Sequence, residues 1–476
     1  MRAIPNCTDR GRFGVGPPAH HPRYMRTGYT TPLRPRGPVL RLYQASVLQS
    51  LIRGLQRHRG ATFTVLFPRQ AGKNEVAAAL VAYLLRSNAA SGGSVVVCAP
   101  SFHPQAEISI ARVRRTLETT AHLFPGAPVR ISGHTISVGR ATAYFLSAAP
   151  DANVAGHTAS LALIADEAQD IDPDWFDRQF RPMAASTGAP TILFGTPWEG
   201  SSLLDRAVAA NRAADAASGA RGPDRLHHEV SWQRVAESVP AYGRYVERER
   251  ERLGANHPLF LTQYELRVAR SAGRLLTAAQ LARLSGSHER QRTPRPGERY
   301  VAGLDLAGPG NDRTVLTIAR LAGSRAEVVD HAALQGAGLE AAEQLAREAL
   351  RTWRLERLCI DATGLGLGIA ERLAREFGPA IEPFVFTAQS KSELGYALVT
   401  AAELGTLALY ADDGSRESAA VRQELRDCAA EYGPGRQLRW HAARGHDDYA
   451  VSLALCLRAA NAAGAPRLAR GRKVEC

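Results

Sequence analysis

The chain has 476 residues, of which 45% are hydrophobic and 22% are charged, a composition typical of a soluble globular protein and a length that exceeds one hydrophobic core. Lys and Arg number 59 against 46 Asp and Glu, giving a formal net charge of +13, so we expect the surface to attract a polyanion. No apolar run approaches the roughly 20 residues of a membrane span, and the six cysteines show no CxxC spacing, which excludes a membrane protein and disfavours a disulfide or zinc framework.

The first half of the chain predicts an α/β nucleotide-binding domain. Residues 1–38 are rich in Arg, Pro and Gly, which predicts a basic flexible arm or an upstream stretch that is not translated. In residues 39–210, continuous apolar runs alternate with helical stretches, which is typical of a parallel-rich sheet covered by helices on both faces. The predicted strands are 62–67, 94–100, 141–147, 161–166 and 191–196.

The second half predicts another α/β domain with a different topology. Residues 211–294 are more polar and end in a Pro- and Arg-rich stretch, which favours a helical subdomain and a linker. In residues 295–462, three strands in succession precede the first helix, which implies an antiparallel start and a mixed sheet. Residues 463–476 form a basic tail. The predicted elements are strands at 300–306, 314–320, 326–331 and 357–361 and a helix at 339–352.

The segment PRQAGKNE (68–75) follows a predicted strand and opens a predicted helix, which is the setting of a phosphate-binding loop. Backbone amides at a helix N-terminus point at an anion, and Lys73 adds a positive charge. Two positions depart from the GxxxxGK[ST] pattern: Phe67 replaces the first Gly, and Asn74 replaces the hydroxyl residue that contacts magnesium. Alone, a Gly-Lys pair in a basic protein is more often a surface feature.

Two later strands end in residues that suit nucleotide hydrolysis. LALIADEAQD (161–170) places Asp166 and Glu167 at the carboxyl end of a strand, where a parallel sheet binds its ligands. There Asp166 can hold magnesium and Glu167 can polarise an attacking water. The strand TILFG leads into Thr196, whose hydroxyl is placed to sense the γ-phosphate. An acidic turn and an ordinary strand-to-loop turn are the simpler alternatives.

Acidic residues recur at three places in the second half. Asp305 in GLDLA and Asp361 in LCIDATG end two apolar strands, and Asp447 with Asp448 in GHDDYAV begins a helix, whose dipole favours negative charge. Carboxylates in this arrangement can hold two hard cations, with Asp448 the first choice for the third ligand and Asp447 close behind. Each acid alone is more often a turn residue or an N-cap, as expected for Asp312.

Taken in order, these motifs resemble the large terminase subunit of tailed bacteriophages, and the resemblance extends from about residue 40 to 460. In that family an ATPase domain precedes an RNase H-like nuclease domain. The resemblance implies that Lys73 binds the phosphates, Arg69 answers the γ-phosphate, Glu167 is catalytic and Thr196 couples hydrolysis to movement. Tyr43 and Gln44 would face adenine, although such a pair is more often core packing. The residues that the resemblance assigns to ATP and its magnesium are Gln44, Arg69, Gly72, Lys73, Asn74, Asp166, Glu167 and Thr196.

For the second domain the resemblance implies a nuclease that uses Mg²⁺ or Mn²⁺. Asp305, Asp361 and Asp448 would be catalytic metal ligands with Asp447 as a further candidate, and Lys391 and His446 would lie nearby, where a solvated lysine and a helix-start histidine are equally good explanations. The implied partners are double-stranded DNA, a small terminase subunit, a portal protein and further copies of the chain in a ring on the procapsid. The implied place of action is the host cytoplasm, without a membrane.

Two alternatives stay open at this point. A helicase-nuclease of repair or defence would share both chemistries, although only CAPSFHPQAE (98–107) is suggestive and a second motor domain is missing from the pattern. A catalytically degenerate prophage remnant would bind DNA without cutting it. Asn74 and Ala155 motivate this second alternative, because the family has a hydroxyl residue and an arginine at these positions.

Overall fold

The computed structural model describes residues 40–123, 127–150, 152, 154, 156–198, 200–268, 272–307 and 313–464. The predicted arm 1–38, Ala155, Asp312 and the tail from residue 465 lie outside the described residues. The strands, numbered in chain order, are β1 Thr62–Leu66, β2 Gly93–Ala99, β3 Val129–Ser132, β4 Thr135–Val138, β5 Ala141–Ser147, β6 Ala162–Ala165, β7 Thr191–Gly195, β8 His227–Glu229, β9 Ala272–Arg274, β10 Tyr300–Asp305, β11 Arg313–Ala322, β12 Arg325–Gln335, β13 Arg357–Asp361, β14 Ile381–Phe384, β15 Leu407–Ala408, β16 Cys428–Gly433 and β17 Gln437–Ala442.

The α-helices connect and cover these strands, and no helix among the residues described above is long and apolar enough to cross a membrane. They are α1 Leu42–Arg57, α2 Lys73–Ser87, α3 Glu107–Thr119, α4 Pro173–Gln179, α5 Arg181–Ala185, α6 Leu203–Ser218, α7 Trp232–Ser238, α8 Pro240–Leu253, α9 Pro258–Gln263, α10 Ala278–Leu284, α11 Leu339–Thr352, α12 Gly366–Phe377, α13 Ala388–Leu404, α14 Arg416–Asp427 and α15 Asp448–Gly464.

The first sheet has the strand order β3-β4-β5-β2-β6-β7-β1-β8. All neighbours from β5 to β8 pair in parallel, and β3 and β4 add an antiparallel edge. Successive side chains of β2 enter different cores: Val95 and Val97 pack with α2, whereas Val96 and Cys98 pack with α4 and α6. Burial on both faces explains the continuous apolar runs. The predicted parallel-rich sheet is therefore confirmed.

The second sheet has the order β14-β13-β10-β11-β12-β15. Its first three strands, β10, β11 and β12, pair antiparallel, and β13 and β14 continue in parallel on the other side of β10. One face packs against α13 and α15, and the other against α11 and α12. This is the mixed sheet that the strand succession predicts.

A third, small sheet has the order β17-β16-β9. It joins the β16–β17 hairpin to a strand from the segment 211–294, which the sequence predicts as a helical subdomain and linker. From the same segment, β8 enters the first sheet, and α7, α8 and α9 lie between the two strands along the chain. The segment thus contributes to two sheets, which its polar pattern does not indicate.

Helix α15 crosses the middle of β10 at very short range. A Cβ atom at Gly303 would collide with the backbone of Cys456 and Ser452. The Ser452 hydroxyl donates to Gly303 O at 3.0 Å and lies 2.8 Å from the Thr317 hydroxyl. Glycine at position 303 therefore permits the approach that brings the start of α15 toward the end of β10.

We expect Gly303→Ala to destabilise the protein by about 1–3 kcal/mol, because an added methyl group in a close-packed core forces the backbone to shift. Gly273→Ala is the matched control, since a Cβ there meets no atom within 4 Å, and its effect should stay within about 0.5 kcal/mol. Urea unfolding of the full chain measures both. Equal midpoints for the two variants would contradict this packing argument.

Candidate functional sites

The phosphate loop lies between β1 and α2 and is held by α1. Gly72 is the N-cap of α2 in the left-handed region, at φ +89°. A Cβ at this position would collide with the Gln44 amide, which donates to the carbonyls of Ala71 and Gly72 at 3.3 Å each. The Tyr43 hydroxyl donates to Ala71 O at 2.8 Å. Tyr43 and Gln44 thus brace the loop backbone, and contact of Gln44 with adenine remains a prediction.

Lys73 meets the two acids at the end of β6. Its Nζ lies 2.7 Å from Glu167 Oε2 and 4.0 Å from Asp166 Oδ1. Asp166 also accepts from the Ser109 hydroxyl at 3.2 Å and from the Glu167 amide at 3.0 Å. The structure therefore brings the loop lysine and both strand-end acids together, as the motif order predicts.

The two acids differ in their electrostatic surroundings. Burial raises the pKa of Asp166 above its ordinary value, although Lys73 opposes this. For Glu167, burial also acts to raise the pKa, but the charge and hydrogen bond of Lys73 outweigh it and lower the pKa below its ordinary value. Glu167 is thus held as a carboxylate. Its backbone lies at φ +50°, a costly conformation for a side chain other than glycine.

Gln169 is a site residue that the motif reasoning did not single out. Its amide nitrogen donates to Glu167 Oε2 at 2.8 Å and to Asp170 Oδ2 at 2.9 Å. Its carbonyl oxygen accepts from the Thr196 amide at 3.2 Å. Gln169 therefore links the acidic end of β6 to the turn after β7. Its role depends on contacts between different elements, which the sequence pattern does not show.

A cavity of about 560 Å³ opens in front of these residues. Its lining is rich in cations, which suits a polyphosphate. Arg69 reaches it, but its guanidinium currently donates to Gln263 Oε1 at 2.8 Å. The residues that line the cavity include Arg69, Gly72, Lys73, Asn74, Glu167, Thr196 and Arg436.

The acids of the second domain meet where α15 begins. Leu304 pairs with Ile360 in the parallel register of β10 and β13, so Asp305 and Asp361 end neighbouring strands. Burial raises the pKa of Asp305 well above its ordinary value, and Asp361, Asp448 and Asp447 raise it further. These four acids therefore act on one another, in a group called here the acidic cluster: Asp305, Asp361, Asp447 and Asp448.

Each of the other acids has its own partners. Asp361 accepts from the Thr363 amide at 2.8 Å, and burial raises its pKa. Asp448 accepts from the Arg313 amide at 3.1 Å. Asp447 faces Lys391, whose Nζ lies 3.5 Å from its Oδ2. The expected position of Lys391 beside the acids therefore agrees with the structure.

The donor set of the acidic cluster fits a hard divalent cation, because all its side chains are carboxylates whose repulsion a cation relieves. Within the described ranges, no group of three or more His, Cys, Asp or Glu is already gathered tightly enough to hold a metal ion. The individual ligands, including the choice between Asp447 and Asp448, remain predictions.

Glu424 is a second residue that the sequence reasoning missed. This buried carboxyl group on α14 accepts from the amides of Tyr449 and Ala450, at 2.7 and 3.2 Å, in the first turn of α15. Burial, and then the nearby charges of Asp448 and Asp447, raises its pKa to about 8. Glu424 thus fixes the start of the helix that carries Asp448. The sequence places a glutamate on the apolar face of an amphipathic helix, but does not show which element it contacts.

Comparison with known proteins agrees with this geometry. Residues 302–458 match the family model described as the terminase RNaseH-like domain. The large terminase of a thermophilic bacteriophage aligns over 88% of this chain and 99% of that chain, at 12% identity and a TM-score of 0.51. The large terminase of bacteriophage HK97 aligns over 88% and 95%, at 14% identity and a TM-score of 0.39. No curated protein matches the chain.

A nuclease domain has also been solved separately. The large terminase nuclease of the thermophilic phage G20c covers 38% of this chain and 96% of that chain, at 23% identity and a TM-score of 0.32. The fold and the family model define an α/β domain followed by a terminase RNaseH-like domain. Residues 302–458 thus carry a terminase RNaseH-like domain, and the chain shares the fold of a phage large terminase. The resemblance and the fold class drawn from the sequence are both confirmed.

We expect Asp305→Asn to raise the thermal midpoint of the protein at neutral pH in the absence of divalent cations, because folding raises the pKa of Asp305 and therefore costs stability above the pKa of the unfolded state. The rise should be about 2–4 °C for each kcal/mol of repulsion removed. Added Mg²⁺ should stabilise the wild type more than this variant. Thermal unfolding with and without Mg²⁺ measures both effects, and Asp174→Asn, on an exposed acid, is the control. If Mg²⁺ stabilised Asp305→Asn as much as the wild type, Asp305 would not be a ligand of a divalent cation.

Proposed function

We propose that this protein hydrolyses ATP in its first domain to move double-stranded DNA into a procapsid, and cuts the concatemeric DNA with its second domain. The observation that carries the proposal is the presence, in one chain, of the Lys73–Glu167–Asp166 site and an acidic cluster inside a terminase RNaseH-like domain. Each site supplies one of the two chemistries that packaging requires.

In the ATPase site, the amides at the start of α2 and the Lys73 ammonium bind the phosphates. Lys73 then exchanges part of its contact with Glu167 for the triphosphate. Asp166 would hold magnesium, which when bound neutralises phosphate charge. Asn74 offers an amide oxygen where related loops have a hydroxyl, so Asp166 carries this role. Glu167, freed from Lys73, orients and polarises the attacking water.

Two further residues complete the proposed site. Arg69 leaves Gln263 to contact the γ-phosphate. The exchange favours nucleotide binding, because a charged phosphate oxygen replaces a neutral amide oxygen as the acceptor. Thr196 lies at the end of β7 and is joined through Gln169 to Glu167. A change at the phosphates therefore reaches the turn after β7 through two hydrogen bonds. This connection supports a coupling role for Thr196.

In the nuclease site, Asp305, Asp361 and Asp448 would hold Mg²⁺ or Mn²⁺, with Asp447 beside them. Two such ions, when bound, supply an ionised water and stabilise the leaving oxygen. Lys391 holds Asp447 through its ammonium group and adds a positive charge for the DNA backbone. The Asp447–Lys391 pair thus positions one acid without neutralising the others.

The remaining partners follow from charge and from the family. A net charge of +13 favours contacts with phosphates rather than with bases, so DNA affinity should fall steeply with salt. We propose a ring of copies on a portal protein, a small terminase subunit that selects the DNA, and action in the host cytoplasm.

Substitutions at the two sites should separate the two activities. We expect Lys73→Ala to lower ATP hydrolysis by about 10²–10³-fold while leaving Mn²⁺-dependent plasmid cleavage intact. Asp361→Ala should do the reverse. Steady-state ATP hydrolysis and plasmid digestion by the full chain measure both, with Arg53→Ala and Asp174→Ala, at exposed positions, as charge-matched controls.

Each alternative has its own outcome in this experiment. Unchanged ATP hydrolysis in Lys73→Ala would remove the motor assignment, and unchanged cleavage in Asp361→Ala would remove the nuclease assignment. A wild type that binds DNA but cuts nothing with Mn²⁺ would support the degenerate remnant. ATP-dependent separation of duplex strands by the wild type would support the helicase-nuclease.

A further inference from the structure

The β16–β17 hairpin of the nuclease domain reaches the ATPase cavity with its tip. The tip is the turn at residues 434–436, in which Gly435 and Arg436 lie at φ +68° and +64°. A left-handed conformation is costly for arginine and persists where the surroundings impose it. The turn projects the Arg436 side chain toward the cavity that Lys73 and Glu167 also line.

Inside the cavity, Arg436 donates to a neutral partner. Its Nη2 lies 3.0 Å from the Thr196 hydroxyl oxygen. Its charge is close enough to act on the carboxylates of Glu167 and Asp170. A guanidinium gains more from a charged, bidentate acceptor than from a hydroxyl. A triphosphate held by the loop would offer such an acceptor at this wall of the cavity.

The tip is fixed on both sides. From the ATPase side, Trp198 Nε1 donates to Gly433 O at 2.7 Å, and its ring meets the Tyr432 ring edge-on at 5.7 Å. From the nuclease side, the Tyr396 hydroxyl donates to Arg436 O at 3.0 Å. Arg436 is therefore placed by both domains and does not swing as a free side chain on a loop.

The same hairpin leads to the acidic cluster. Trp440 on β17 donates through Nε1 to Lys391 O at 2.8 Å, and Lys391 Nζ lies 5.0 Å from the Trp440 ring centre. Lys391 in turn faces Asp447. The β16–β17 hairpin thus lines the ATPase cavity at its tip, and further along β17 it contacts Lys391, which faces Asp447.

We propose that Arg436 is a nucleotide-contacting residue of the ATPase site, supplied in cis by the nuclease domain, and that the β16–β17 hairpin reports the nucleotide state to the acidic cluster. The inference rests on the proposed ATPase function. Arg436 stabilises the charge of the transferring phosphoryl group, and its contact exchanges the Thr196 hydroxyl for phosphate oxygens. A shift of the tip when Arg436 changes partner then moves β17, and with it Trp440 and the Lys391 that Trp440 contacts.

Steady-state ATP hydrolysis by the full chain tests the contact. We expect Arg436→Ala to lower kcat at least about tenfold, since arginines that stabilise a transferring phosphoryl group contribute about 10³–10⁵ in kcat. Arg436→Lys should lose part of the ATP hydrolysis rate, because a lysine keeps the positive charge but lacks the planar guanidinium that binds two oxygens at once. Arg439→Ala, on the same hairpin and exposed, should hydrolyse ATP as the wild type does.

The controls separate this inference from the proposed function. A wild type without ATP hydrolysis, or a Lys73→Ala variant with full hydrolysis, removes the ATPase assignment itself. If those two behave as proposed while Arg436→Ala keeps the wild-type kcat and KM, the Arg436 contact is wrong. Thermal unfolding shows whether each variant is folded. If Arg436→Ala is not folded, Arg436→Lys replaces it, and wild-type kcat and KM in that variant would show that the Arg436 contact is wrong.

Plasmid cleavage with Mn²⁺ tests whether the nucleotide state affects the nuclease through the β16–β17 hairpin. We expect ATPγS to change the cleavage rate of the wild type and of Arg439→Ala by at least about twofold, and to leave that of Arg436→Ala unchanged. A larger response is not required, because a twofold change corresponds to only about 0.4 kcal/mol. An equal response to ATPγS in all three proteins, or no response in the wild type, would overturn the coupling.

Discussion

Negative charge gathered at the ends of buried strands is the constraint on which both sites depend. Ionised carboxylates are costly in such places unless a cation compensates them. At the end of β6 the compensation is built in, because Lys73 contacts Glu167 and approaches Asp166. At the ends of β10 and β13, Lys391 contacts Asp447 and acts on Asp305, while the other acids of the cluster raise the pKa of Asp305. The first site thus contains its own compensating cation, whereas in the second the carboxylates repel one another.

The departures from the usual phosphate loop also have a physical explanation. Phe67, in place of the first glycine, is buried in the core beside the Tyr43 ring, at 6.2 Å between ring centres. The loop keeps its shape because Tyr43 and Gln44 hold the Ala71 and Gly72 carbonyls from α1. A helix that precedes β1 thus supports the loop in which the first glycine of the pattern is missing. The unusual sequence is compatible with a formed loop.

The sequence predicts those parts of the fold that local pattern determines. Helix α11 and strand β13 begin and end where their patterns indicate, and the buried strands of the first sheet deviate by a residue or two. Strand β3 is exposed along its whole length, and β8, β9 and the β16–β17 hairpin are short or polar. The short strands β8 and β9 pair with β1 and β16, which are distant along the chain, whereas β3 and β16 pair with a neighbouring strand. Local periodicity reveals neither the short β8 and β9 nor the exposed β3.

The same distinction applies to the sites. Lys73, Asp166, Glu167, Asp305 and Asp361 stand at strand or helix ends, where position along the chain almost fixes position in the sheet. Gln169 and Glu424 act through hydrogen bonds to other elements, and Arg436 meets Thr196 across 240 residues of sequence. Contacts of this second kind depend on how helices and sheets pack. A single sequence does not contain that information in readable form.

The seam between Trp198 and the strand end at Tyr432 and Gly433 limits how this protein can be recombined. Exchange of whole domains between related chains would pair a tryptophan turn from one parent with a hairpin from another. Any parent supplies the backbone carbonyl that accepts from the indole, so a hybrid keeps the junction where the tryptophan and the facing tyrosine ring are both retained. Shuffling of these genes should therefore preserve the turn and the hairpin as a linked unit, even though Trp198 and Gly433 lie 235 positions apart.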